Sequence, residues 1–78
     1  MNEYRCTRAL PYADFDYEDR DNPKLRQGYY LAAEDAHGAM KQMAEAFPDD
    51  VDEARRRKIR PFTVSFHKTL YSEALMAP

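Results

Sequence analysis

The segment of residues 62–67 most constrains the fold, because its side chains alternate without exception between apolar and polar. The apolar positions are Phe62, Val64 and Phe66, and the polar positions are Thr63, Ser65 and His67. A period of two residues is that of a β-strand with one buried face. Pro61 has no amide hydrogen, which suits the first position of such a strand. We therefore expect a sheet whose buried face carries the three apolar residues.

Two further segments have the character of strands. Residues 3–8 place Tyr4 and Cys6 between polar neighbours, again with a period of two. Residues 29–33 follow Gly28 and begin with two tyrosines, which are favoured in strands. Together with residues 62–67 they predict a sheet of three strands.

A helix is predicted directly after the second strand. Asp35 is placed to accept hydrogen bonds from the first free amides, and Pro48 ends the helix at Phe47. One helical stripe is apolar and consists of Ala36, Ala39, Met40, Met43 and Phe47. Residues 51–58 resemble a second, shorter helix with Asp50 as N-cap, although the same residues also suit an ordered turn or a loop.

These elements predict a single α+β domain over residues 1–78, a small three-stranded sheet with one main helix on one face. Val, Ile, Leu and Phe number only 12 of the 78 residues, so aromatic rings must supply much of the core. We expect Phe66 and Phe47 to be buried, and their replacement by alanine to cost about 3 to 5 kcal/mol. The open face is expected to carry Tyr30, Thr63, Ser65 and His67, with Arg5 and Thr7 beside them. Residues 70–78 are predicted to be a tail that packs back or extends the last strand.

Charge is segregated along the chain although the net charge is only −2. Residues 14–21 carry five acids and one arginine, residues 49–53 carry four acids, and residues 55–60 carry five cations. The first acidic run lies in a long connection, residues 12–26, which also contains aromatic side chains. Connections of this length in small domains are often functional.

Motifs for catalysis or metal binding are missing from the sequence. No nucleophile elbow, phosphate-binding loop or zinc motif occurs, and Cys6 is expected to be a buried small side chain. Asp14, Asp16 and Glu18 alternate as in a calcium loop, but Asp19 replaces the required glycine and Leu25 the closing acid. We predict a protein with no catalytic activity, no metal and no cofactor.

The function predicted from these features is binding to another protein, as an accessory subunit or as a small inhibitor such as phages use against host nucleases. Phe15 and Tyr17 are the preferred anchors, because aromatic side chains dominate interfaces while exposed arginines mainly steer approach. A solvated helix end is the alternative for the basic run. The predicted contact residues are Tyr12, Asp14, Phe15, Asp16, Tyr17, Glu18, Asp19, Arg55, Arg56, Arg57, Lys58 and Arg60.

A nucleic-acid-binding domain is the alternative function. It would use the open sheet face, through Arg5, Tyr30 and His67, together with the basic run. The pI of about 5.6 argues against it, because such domains are usually basic overall. The sequence has no apolar run of membrane-spanning length, no leader after Met1 and a single cysteine, so a cytoplasmic location without a membrane partner is expected.

Overall fold

The computed structural model describes residues 1–13 and 22–71, and the predicted α+β architecture is confirmed. The described elements, in chain order, are β1 (Asn2–Arg8), α1 (Leu10–Ala13), a 3₁₀ turn (Pro23–Leu25), β2 (Tyr29–Ala33), α2 (Ala36–Ala46), α3 (Pro48–Arg57) and β3 (Phe62–Thr69). The first acidic run, residues 14–21, and the tail beyond residue 71 lie outside the described residues.

The sheet has the order β2-β1-β3, and β1 is antiparallel to both neighbours. The strands β2 and β3 are therefore parallel to each other, and α2 and α3 form the crossover between them. A β-bulge interrupts the pairing of β1 with β3: Tyr4 faces Phe66 and Glu3 faces Lys68, so His67 is the extra residue.

The core lies between β1 and the helices. Its buried apolar members are Tyr4, Cys6, Ala33, Ala39, Met43 and Phe62. Cys6 is fully buried, as predicted, and this burial raises the pKa of its thiol. Because β1 is the central strand, Tyr4 and Cys6 contribute to the core from its middle.

Phe66 lies on the helix-facing side of β3, but the expectation that it is buried is wrong. Its exposed fraction is 60 %, whereas that of Phe62 on the same face is 1 %. Among the described residues, the Phe66 ring meets the edge of Tyr4, at 6.1 Å between ring centroids. Burial along β3 decreases from its first residue, and residues 65–69 are all exposed. The helices therefore cover the N-terminal half of β3 and not its C-terminal half.

Asp35 is the N-cap of α2, as predicted, whereas Asp50 is not the N-cap of α3. Asp35 accepts a hydrogen bond from the Gly38 amide at 2.8 Å. Helix α3 begins at Pro48, three residues earlier than predicted, because proline needs no amide partner in a first helical turn. Asp50 therefore lies inside that turn, where its side chain binds Arg8 and does not cap the helix.

The C-cap of α3 is Lys58, whose left-handed backbone conformation can be tested by substitution. Lys58 has φ 58° and ψ 42°, the left-handed region, and the Ile59 amide donates to the Ala54 carbonyl at 3.0 Å. Glycine adopts this conformation without the steric cost that a β-carbon imposes. Lys58→Gly is therefore expected to raise the free energy of unfolding by about 1 kcal/mol in urea titrations. Arg57→Gly, one residue earlier and helical, is the matched control and should lower it.

Candidate functional site

The predicted basic run surrounds the C-terminal end of α3, and two of its arginines share one ion-pair partner there. Glu53 binds Arg56 at 2.5 Å and Arg57 at 3.0 Å, one helical turn away in each case. Hydrogen bonds from Arg56 and then from Arg57 lower the pKa of the Glu53 carboxyl. These two arginines serve the helix itself, which agrees with the solvated-helix-end alternative.

The other three cations of the run, Arg55, Lys58 and Arg60, are exposed. Within residues 1–13 and 22–71, no carboxylate lies within ion-pair distance of them. The basic run thus divides into two arginines that share the Glu53 carboxylate and three cations that leave their charge to solvent.

Arg60 also lies at one end of an apolar groove between α2 and β3, with a volume of about 550 Å³. The groove lies where the first turns of α2 meet the N-terminal half of β3. Its lining residues are Ala36, His37, Met40, Arg60, Pro61, Phe62, Thr63 and Val64. No carboxylate is among them.

Tyr12 is the only described member of the predicted aromatic contact loop. Its hydroxyl accepts a hydrogen bond from the Gln27 amide at 3.1 Å, and the Arg26 guanidinium lies 5.8 Å from its ring centre. Tyr12 therefore holds the segment before β2 in place. The other predicted members, Asp14, Phe15, Asp16, Tyr17, Glu18 and Asp19, lie outside the described residues.

The sheet face opposite α2 is less open than expected. Arg5 donates to the carbonyls of Pro23 at 2.9 Å, Lys24 at 3.5 Å and Arg26, so residues 22–28 lie across it. A β-carbon at Gly28 would lie 2.6 Å from Arg5 Nε, which explains glycine at this position. Thr7 is fully buried as well, hydrogen-bonded to Thr63 at 2.5 Å between hydroxyl oxygens.

Tyr30 and His67 remain accessible on this face, and they pack against each other. Their rings meet edge to face at 5.0 Å, and His67 Nε2 lies 3.7 Å from the Glu3 carboxylate. A base stacking on Tyr30 would therefore meet the His67 ring and a carboxylate. Since Arg5 is also engaged by carbonyls, no described feature of this face favours nucleic acid.

The sequence pattern did not reveal one strong interaction, between Arg8 and Asp50. Arg8 donates to both carboxylate oxygens at 2.8 and 2.9 Å, and its guanidinium lies 4.1 Å from the centre of the Phe47 ring. The hydrogen bond to Asp50 is the main cause of the raised pKa of Arg8. The pair joins β1 to α3 and is a structural link. No local signal predicts it, because 42 residues separate the partners.

Comparison with known proteins identifies no relative from which a function could be inferred. No family model matches the chain, and neither a curated protein nor a solved structure is significantly similar to it. Among the described residues, no three histidine, cysteine or acidic side chains come together in a way that could hold a metal ion. None of the described helices has the length and apolar character needed to cross a membrane.

Proposed function

We propose that this chain is a non-catalytic protein-binding module whose contact surface consists of the apolar groove between α2 and β3 and the exposed cations at the end of α3. The groove is the observation that carries the proposal. It lies between α2 and the N-terminal half of the edge strand β3, its lining is mostly apolar, and no carboxylate is among the lining residues. Apolar depressions with a charged rim are characteristic of protein interfaces.

The exposed cations, of which Arg60 lines the groove, suggest which kind of protein binds. Arg55, Lys58 and Arg60 carry three positive charges with no ion-pair partner among the described residues, so they favour an acidic surface. Exposed cations of this kind mainly accelerate association, while burial of apolar side chains in the groove slows dissociation. The predicted anchors Phe15 and Tyr17 remain a separate prediction, since they lie outside the described residues.

The test uses two double variants that remove the same number of charges. Arg55→Gln with Arg60→Gln removes cations without an ion pair among the described residues, and Arg56→Gln with Arg57→Gln removes cations that are paired with Glu53. Each protein is immobilised, exposed to nuclease-treated native lysate, and the recovered partner is then titrated by surface plasmon resonance. We expect the first variant to slow association by about tenfold at low salt and the second to change it less than twofold.

The nucleic-acid alternative is an outcome of the same experiment. If nuclease treatment abolishes capture, or if the chain binds nucleic acid more tightly than the roughly 10⁻⁴ to 10⁻⁶ M of nonspecific association, the proposal is wrong. Equal effects of the two double variants would contradict the assignment of the contact to Arg55 and Arg60.

A further inference from the structure

The hydrogen-bonding geometry of β3 indicates how a partner would occupy the groove. The Ala9 amide donates to the Pro61 carbonyl at 2.9 Å, so these residues form a hydrogen-bonded pair. Hydrogen-bonded and non-hydrogen-bonded pairs alternate along an antiparallel ladder. The pairs that contain Phe62, Val64 and Phe66 are consequently non-hydrogen-bonded pairs. The amide and carbonyl groups of these three residues therefore point away from β1, toward the free edge of the sheet.

This edge has no partner among residues 1–13 and 22–71. The opposite edge differs, because the Gln42 side chain there binds the Ala32 carbonyl. Free edges are usually protected by proline, lysine or bulges. In β3 such protection occurs only near the two ends: Pro61 precedes the strand, and the bulge at His67 lies beside Lys68 in its last part. The unprotected stretch, residues 62–66, includes the residues of β3 that line the groove, 62–64.

The chemistry of the groove then specifies the occupant. In a strand paired with β3, the residues opposite Phe62 and Val64 would point their side chains to the helix-facing side, toward Met40. The lining there is apolar, so apolar side chains fit both positions. The next residue on the same side lies opposite Arg60, which favours a carboxylate.

We propose that an extended segment of a partner protein adds to β3 as a fourth, antiparallel strand, with the pattern apolar-x-apolar-x-acidic from its N-terminus to its C-terminus. The proposal rests on the proposed protein-binding function and names the segment that the groove takes. The antiparallel direction is chosen because such pairs are the more stable ones per residue. It places the acidic residue after the two apolar residues.

The first experiment selects twelve-residue peptides from a random phage-displayed library on the immobilised full chain. We expect enrichment of the stated pattern. Failure to enrich any peptide would overturn strand addition, whereas the lysate experiment with its charge variants would still decide whether the chain binds a protein at all. An amphipathic helical consensus, with apolar residues three and four apart, would also overturn it.

The second experiment measures main-chain pairing on the unaltered protein. Each residue of a selected peptide is N-methylated in turn, and affinity is measured by fluorescence polarisation. Methylation at the two apolar positions, whose amides would face β3, is expected to weaken binding at least tenfold. Methylation at the intervening positions, whose amides face solvent, is expected to change affinity less than threefold. Uniform losses along the peptide would overturn the proposal.

Protein variants locate the site. Val64→Pro removes an outward amide and should weaken peptide binding at least tenfold, while Val64→Ile keeps the amide and is the matched control. Arg60→Glu should weaken binding of the acidic peptide, and a lysine in place of its acid should restore it. The N-methyl results remain decisive if Val64→Pro fails to fold.

The chain could instead pair with a second copy of itself through β3. A dimer in sedimentation that Val64→Pro dissociates would overturn the proposal in favour of a second copy.

Discussion

Phe62→Ala is expected to lower the free energy of unfolding by about 3 to 5 kcal/mol, as replacement of a buried phenylalanine usually does. Phe62 is 1 % exposed and packs in the core beside Phe47, with ring centroids 6.3 Å apart. Domains of this size have a free energy of unfolding near the lower end of about 5 to 15 kcal/mol. The variant should therefore be largely unfolded in mild urea, as measured by far-ultraviolet circular dichroism.

Phe66→Ala is the matched comparison, because the two phenylalanines share one strand and one face. Since the Phe66 ring is 60 % exposed, its loss should cost only about 1 kcal/mol. Phe62→Leu keeps much of the apolar volume and should give a measurable intermediate loss if the alanine variant does not fold. Equal losses at Phe62 and Phe66 would contradict the difference in burial between the two ends of β3.

Local sequence signals predicted the local parts of this structure. The bounds of β2 and the capping of α2 by Asp35 follow from residues that lie next to one another. The alternation of β3 correctly placed Phe62, Val64 and Phe66 on one face. Alternation reports the direction of a side chain, however, and not whether another element covers it. For that reason it could not distinguish buried Phe62 from exposed Phe66.

Two features of the candidate site depend on contacts between residues that are distant in the sequence, so the sequence pattern could not predict them. The binding of Arg5 to the carbonyls of residues 23–26 depends on where a long connection returns to the sheet. Arg60 was predicted as a contact residue from its charge, and the structure places it at the groove. The groove itself was not predicted, because Met40 and Val64 come together only through the packing of α2 against β3.

The uneven burial of β3 bears on the stability of the domain. Phe62, at the start of the strand, belongs to the core, whereas residues 65–69 are exposed. Phe66 therefore adds little apolar burial to a small core, and the stability has to come from other contacts. One such contact is the polar link between β1 and α3.

That link is the ion pair of Arg8 with Asp50, whose side chains are 28 % and 9 % exposed. Arg8→Met leaves the Asp50 carboxylate without its cation in a largely buried site, and Asp50→Leu leaves the guanidinium without its anion. Breaking a buried pair in this way costs about 3 kcal/mol, because one charge stays desolvated and uncompensated. We expect a loss near this size for Arg8→Met, and a somewhat smaller loss for Asp50→Leu because the more exposed Arg8 guanidinium can then reach water.

The double variant Arg8→Met with Asp50→Leu should be more stable than either single variant, because no uncompensated charge remains beside Phe47. Arg56→Ala, which removes one arm of the exposed pair with Glu53, is the control and should change the free energy of unfolding by less than about 0.5 kcal/mol. Urea titrations of all four proteins give the coupling energy directly. Additive losses in the double variant would show that Arg8 and Asp50 act through packing alone, and the ion pair would then have no stabilising role of its own.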